Sequence, residues 1–163
     1  MQRLADVLFE RLATPLAAIT LAAALVAMGG QVVFRYGLGA SLIWAEEVAR
    51  YALVWSTMFG AAVAYRQGGH VAITDLTARL PERLSRQVGR AVHLLVFGFA
   101  ALVAWQGWAL ALRTFARHQL SPALQIDIAW IYLALPVGGV LVMLAALEAL
   151  WTGRPPAAPA GPP

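Results

Sequence analysis

Cysteine is absent from this chain, which excludes disulfides and thiolate metal sites. Lysine is absent too, so all twelve basic residues are arginine. Charge of either sign is scarce: charged residues make up 12% of the 163 positions, against 61% hydrophobic. A soluble domain of this size leaves much of its surface exposed and cannot hide so much apolar area. Composition therefore indicates a membrane protein. The net charge of +4 is spread between apolar runs instead of gathered in one soluble patch. That distribution points to anionic lipid headgroups as partners and away from nucleic acid. Motifs of catalysis are missing as well: there is no His/Glu spacing suited to zinc, and no G-x-S-x-G, H-E-x-x-H, P-loop or Rossmann fingerprint. The chain reads as a non-enzyme with no cofactor.

What is present is a series of long uncharged runs. Residues 12–34 form a run of 23, residues 91–112 one of 22, and residues 128–147 one of 20. Each is long enough to cross about 30 Å of hydrocarbon at roughly 1.5 Å per residue. Pro15 falls in the first turn of the first run, where a missing N–H costs little. Pro136 falls near the middle of the last, where neighbouring helices re-satisfy the freed carbonyl. The first run is longer than the apolar core of a signal peptide and is read as an uncleaved span.

The remaining run, residues 51–65, has only 15 residues. As a helix it is too short for a bilayer, so it must extend backwards through Arg50, Glu47 and Glu46 towards Ser41, the expected N-cap. A charged turn thus belongs to a membrane helix or its interface. Glu46 and Arg50 are four residues apart in the favourable order, Glu47 and Arg50 three apart, and Trp44, Glu47, Tyr51 and Trp55 share a broad helical face. One reading is an interfacial anchor of aromatics and an intrahelical ion pair. The other is a docking face, because one arginine does not satisfy two carboxylates and an acid is left seeking a partner. Spacing alone leaves both open.

The expected architecture is all-α: a membrane domain of four transmembrane helices over residues 1–152, with a short interfacial or loop helical segment, and a disordered Pro/Ala-rich tail over 153–163. In the 67–90 stretch, Arg79, Arg83, Arg86 and Arg90 fall on one helical stripe suited to lipid headgroups. Pro81 divides that stretch and starts the third helix, which runs to about Leu112. With the N-terminus inside, eight arginines lie on the cytoplasmic side and Arg35, Arg50, Arg113 and Arg117 outside. The positive-inside rule thus places both termini in the cytoplasm. The glycine pairs Gly29–Gly30 and Gly138–Gly139 permit close helix approach or a bend.

The stretch VFRYGLGASLIWAEEVARYALVWSTMFGAAVAYRQGGHVAITDL (33–76) resembles the signature region of the small membrane subunit of tripartite ATP-independent periplasmic (TRAP) transporters, the DctQ-like family. The matching positions are Arg35, Tyr36, Ser41, Trp44, Glu46, Glu47, Arg50, Trp55, Gly60, the Gly69–His70–Val71 turn and Asp75. SPALQIDIAWIYLALPVGG (121–139) resembles the fourth-span pattern, with Pro122, Tyr132, Pro136 and Gly138 in register. Asp127 departs from it, standing where a proline is common, and serves equally as an N-cap. The resemblance implies a bacterial inner-membrane scaffold subunit. It would support a large membrane subunit that takes up an organic acid on a sodium gradient, with a periplasmic substrate-binding protein as transient partner. In that reading the subunit interface carries Arg35, Trp44, Glu46, Glu47, Arg50, Tyr51 and Trp55. The competing reading is a four-helix membrane anchor of a redox enzyme, with His93 as a haem ligand.

Overall fold

A computed structural model describes residues 5–68 and 81–152. A π-helical segment, Val7–Ala13, leads without a break into α1 (Thr14–Gly37). It is followed by α2 (Ile43–Arg66), α3 (Glu82–Ala116), a single-turn α4 (Ala129–Tyr132) and α5 (Ala134–Thr152). Three helical stretches, Val7–Gly37, Arg83–Ala116 and Ala129–Thr152, are long and apolar enough to cross a membrane. The fourth, α2, has 24 residues and is about 36 Å long by helical rise, but its first two turns are charged. The helix does extend back through Arg50, Glu47 and Glu46, as its short apolar run requires.

Two local expectations, the cap of α2 and the place of Pro136, are corrected. Ser41 is not the cap of α2; Leu42 holds that place with no side-chain bond. Pro15 falls in the first turn of α1, as expected. The chain is already helical before it, and the π turn widens the backbone just ahead, with the Thr14 amide and hydroxyl both donating to the Phe9 carbonyl. Pro136 lies in the first turn of α5, not mid-helix, because the span breaks at Leu133; its missing N–H therefore removes little. Pro81 is the N-cap of α3, and the expected interfacial or loop helical segment, with Arg79, falls within 69–80, outside the described residues. The tail at 153–163 also lies outside. Asp127 does act at a helix start: its Oδ1 accepts from the Ala129 amide at 3.0 Å.

The helices pack in the order α1, α2, α5, α3, each against its neighbours in that series. The array is one helix thick, and bulky side chains such as Val26, Leu95 and Trp105 point outwards. That exposure suits a hydrocarbon solvent, in which burial of apolar side chains gains nothing. Contacts between helices are made by small residues. Ala45, Ala49 and Ala62 of α2 and Ala134, Ala145 and Ala146 of α5 are buried. Gly138 faces Met58 of α2, where an added Cβ would lie 2.6 Å from the Met58 Cβ. Gly139 faces the other way, onto Ala100 and Ala104 of α3. The pair thus works as a close-approach joint on both sides of α5, while nothing lies within 4 Å of a Cβ built at Gly29 or Gly30.

Gly107 of α3 is the tightest point of the α3–α5 contact: an added Cβ would meet the Leu135 Cβ at 2.6 Å and the Pro136 ring at 2.9 Å. Neither neighbour can rotate away. Gly107→Ala is expected to destabilise the chain by about 1–3 kcal/mol, seen as a lower midpoint in thermal unfolding in detergent. Gly98→Ala in the same helix meets nothing within 4 Å and should leave the midpoint unchanged or raised. Equal behaviour of the two variants would contradict the packing.

Candidate functional site

The charged turn lies where α1 ends and α2 begins. The last turn of α1 closes through Leu38 and Ala40 amides donating to the Phe34 carbonyl, and Gly39 takes a left-handed φ of 66° that suits glycine. Glu46 in the first turn of α2 is placed well for the helix dipole. Its Oε1 accepts from Gln31 Nε2 of α1 at 2.7 Å. Gln31 is 95% buried, as its 5% exposure states, so a polar side chain within an apolar span finds its partner on the adjoining helix.

Glu47, one residue on, points the other way and is buried at 7% exposure. Its two carboxylate oxygens accept from consecutive backbone amides of the loop before α4, Ala123 at 3.0 Å and Leu124 at 3.0 Å. The fully buried Ser121 hydroxyl sits beside the same carboxylate, outside strict hydrogen-bond geometry. Consecutive N–H groups converging on an anion form a small nest, and such charge-assisted bonds are among the stronger ones in proteins. Both acids therefore take partners from other segments of the chain, in line with one arginine being too little for two carboxylates.

The remaining residues of the turn divide by exposure. Arg35, Trp44, Glu46 and Arg50 face outwards, whereas Tyr51 and Trp55 are half-buried. Trp55 stacks at a tilt on Phe59, with ring centroids 5.4 Å apart, against the core cluster of Phe9, Ala13, Ala62 and Leu141. Arg50 lies within coulombic reach of Glu47 but makes no hydrogen bond or ion pair with any described residue. It sits seven residues into α2, roughly 10 Å below its start.

The opposite end of α2 carries a second charged cluster. Arg66 donates through Nε to Glu148 of α5 at 2.9 Å and through Nη2 to Asp6, with its guanidinium over the Phe9 ring at 5.1 Å. One cation thereby joins the N-terminal segment, α2 and α5. Sequence reasoning missed it, although Glu148 is the sole acid of the last span. The Tyr65 hydroxyl next to it is 2.6 Å from Nδ1 of His93 on α3. That contact occupies one ring nitrogen of the histidine proposed as a haem ligand. His118, the other described histidine, follows the far end of the same helix, 25 residues on and about 37 Å away by helical rise, so the two cannot share one haem. Arg83, Arg86 and Arg90 are exposed at the start of α3.

Residues 24–155 match the family model described as tripartite ATP-independent periplasmic transporters, DctQ component. The chain belongs to that family. Similar proteins include the sialic acid TRAP transporter small permease protein SiaQ of Vibrio cholerae, 28% identical over 80% of this chain and 75% of that protein. The C4-dicarboxylate TRAP transporter small permease protein DctQ of Rhodobacter capsulatus is 34% identical over 68% of this chain and 48% of that protein. The sialic acid TRAP transporter permease protein SiaT of Haemophilus influenzae is 35% identical over 73% of this chain. The chain thus spans about half of the Rhodobacter protein and 19% of the Haemophilus one. These DctQ relatives are transporter components, not enzymes, and none supports the redox-anchor reading.

Proposed function

We propose that this chain is the scaffold subunit of a tripartite transporter, holding a large membrane subunit that takes up an organic acid on a sodium gradient after delivery by a periplasmic binding protein. The family match over residues 24–155 carries the proposal. A large-subunit partner is supported by relatives of which this chain covers only 19%, one of them named the isethionate TRAP transporter permease protein DctMQ. Sialic acid, C4-dicarboxylate and isethionate in the relatives' names are all organic anions, which supports that substrate class. Within the described spans, ionisable side chains gather towards the two ends, so this chain offers no continuous polar path of its own to an anion. Its contribution is positional. In liposomes with an inward sodium gradient and the loaded periplasmic protein outside, accumulation should require both membrane subunits. Accumulation with this chain alone would overturn the scaffold role.

The orientation proposed is an inner-membrane one with both termini cytoplasmic, supported by the excess of arginine in the 66–90 stretch over that around the charged turn. In it, Arg83, Arg86 and Arg90 meet anionic headgroups of the inner leaflet together with Arg79. Reporter fusions at Ser85 and Thr114 should read cytoplasm and periplasm respectively, and the opposite pattern would reverse the chain in the membrane.

The interface with the large subunit is assigned to the turn's outward residues, Arg35, Trp44, Glu46 and Arg50, flanked by Tyr51 and Trp55. Glu47 belongs to the same turn, but its carboxylate is engaged inside the chain. Arg50 is the informative member. An outward guanidinium without a described partner, well below the start of a membrane helix, calls for a carboxylate from a neighbouring protein. Arg50→Ala should reduce co-purification of the large subunit by about tenfold, corresponding to loss of one charge-assisted contact. Arg50→Lys should recover part of it. Wild-type yield from Arg50→Ala would leave the turn as a lipid-interface anchor.

A further inference from the structure

The loop at 117–128 is more ordered than a connection between two spans needs to be. Its two arms are joined by an isolated bridge between Leu120 and Asp127, by the Ser121 amide donating to the Ile126 carbonyl at 2.8 Å, and by the Ile128 amide donating to the Gln119 carbonyl at 2.9 Å. Gln125 turns its side-chain amide back onto the carbonyls of Ser121 and Pro122, each at 3.0 Å. Two non-glycine residues hold left-handed backbones, His118 at φ 46° and Gln125 at φ 56°. Such conformations persist where the surroundings over-determine them. The Glu47 carboxylate supplies that constraint from outside the loop, through the Ala123 and Leu124 amides.

We propose that Glu47 is a positioning residue: its carboxylate selects the conformation of the 117–128 loop, and through that loop it sets how tightly the assembled transporter engages its substrate-loaded periplasmic protein. The identity of that partner rests on the function proposed above; the latch does not. The loop satisfies its backbone inwards and presents Gln119, Leu120, Pro122, Gln125 and Ile126 outwards, all exposed. This mixture of amide, proline and aliphatic groups suits a protein surface, and a lipid surface has no use for a fixed backbone. Pre-organisation matters to a partner of fixed shape, because the ordering cost is met before the encounter. Glu46 completes the device from the same turn by holding α1 through Gln31. The end of α1, the start of α2 and the loop before α4 are thereby referred to two adjacent side chains.

Glu47→Gln tests the latch with packing volume preserved. One amide oxygen accepts at most part of what two carboxylate oxygens did, and the new NH2 faces a donor. In the purified complex of both membrane subunits, hydrogen exchange of the Ala123 and Leu124 amides should accelerate about tenfold, with the complex still intact. In liposomes, the apparent KM for the loaded periplasmic protein should rise about fivefold while kcat stays within about twofold. Glu47→Asp keeps the charge on a shorter arm and should fall between. Unchanged exchange would overturn the latch. Faster exchange at unchanged KM would overturn its link to the partner, and loss of the complex would make Glu47 a subunit-holding residue instead. Absence of uptake with wild-type components would refute the transporter reading and the KM link that rests on it, while the exchange measurement still decides the latch.

Discussion

Charge placed in a membrane helix has to be compensated by protein groups, and that requirement shapes the end of the molecule where α2 begins. Where water is scarce, a carboxylate without donors costs several kcal/mol. Glu46 and Glu47 meet the requirement in opposite directions. Glu46 takes an amide N–H from α1 and Glu47 takes two backbone N–H groups from the loop before α4. Neither relies on Arg50 for a hydrogen bond, which leaves the arginine outward-facing. The two acids therefore tie together segments that apolar packing alone orders weakly, since helices in lipid gain little from burying more hydrocarbon.

Between its charged ends, the array is held by close approach. Gly138 and Gly139 let α5 sit against α2 on one side and α3 on the other, and Gly107 receives the Leu135–Pro136 corner. These contacts lie where α4 gives way to α5, so the break at Leu133 and the tight crossing are one feature. Proline inside the first turn of α5 fixes the new helical direction, and the missing Cβ of Gly107 makes room for its ring.

The spans were legible because each relies on local information. A run of 15 apolar residues is too short for a bilayer, so α2 had to include Glu46, Glu47 and Arg50, and it does. Pro81 opened α3 and Asp127 assisted the start of α4 for reasons of backbone donors that act within a turn. The partners of the charges were not legible. Glu47 is bonded 76 residues away, to backbone amides of an alanine and a leucine, and a backbone donor has no side-chain signature. Arg66 and Glu148 are 82 residues apart, and two polar groups at helix ends announce no particular pairing before the helices are arranged. Gln31, an amide in an apolar span, and Glu148, the sole acid of the last span, were the available hints. The position of Pro136 relative to its helix was lost because the break at Leu133 leaves no mark in an unbroken apolar run.

The two charged clusters give α2 a distinct place in the array. At one end its acids fix α1 and the 117–128 loop; at the other its arginine fixes the N-terminal segment and α5. Among the described residues α1 packs chiefly on α2, including the Ser56 hydroxyl donating to the Ala17 carbonyl at 3.1 Å. Displacing α2 along its axis would break bonds at both ends at once, whereas displacing α1 would strain contacts to one neighbour. In a wall one helix thick, stiffness cannot come from a closed core and has to come from such joints. A helix fastened at both ends by directional, charge-assisted bonds transmits force with little deformation, which is what the proposed scaffold role would ask of it.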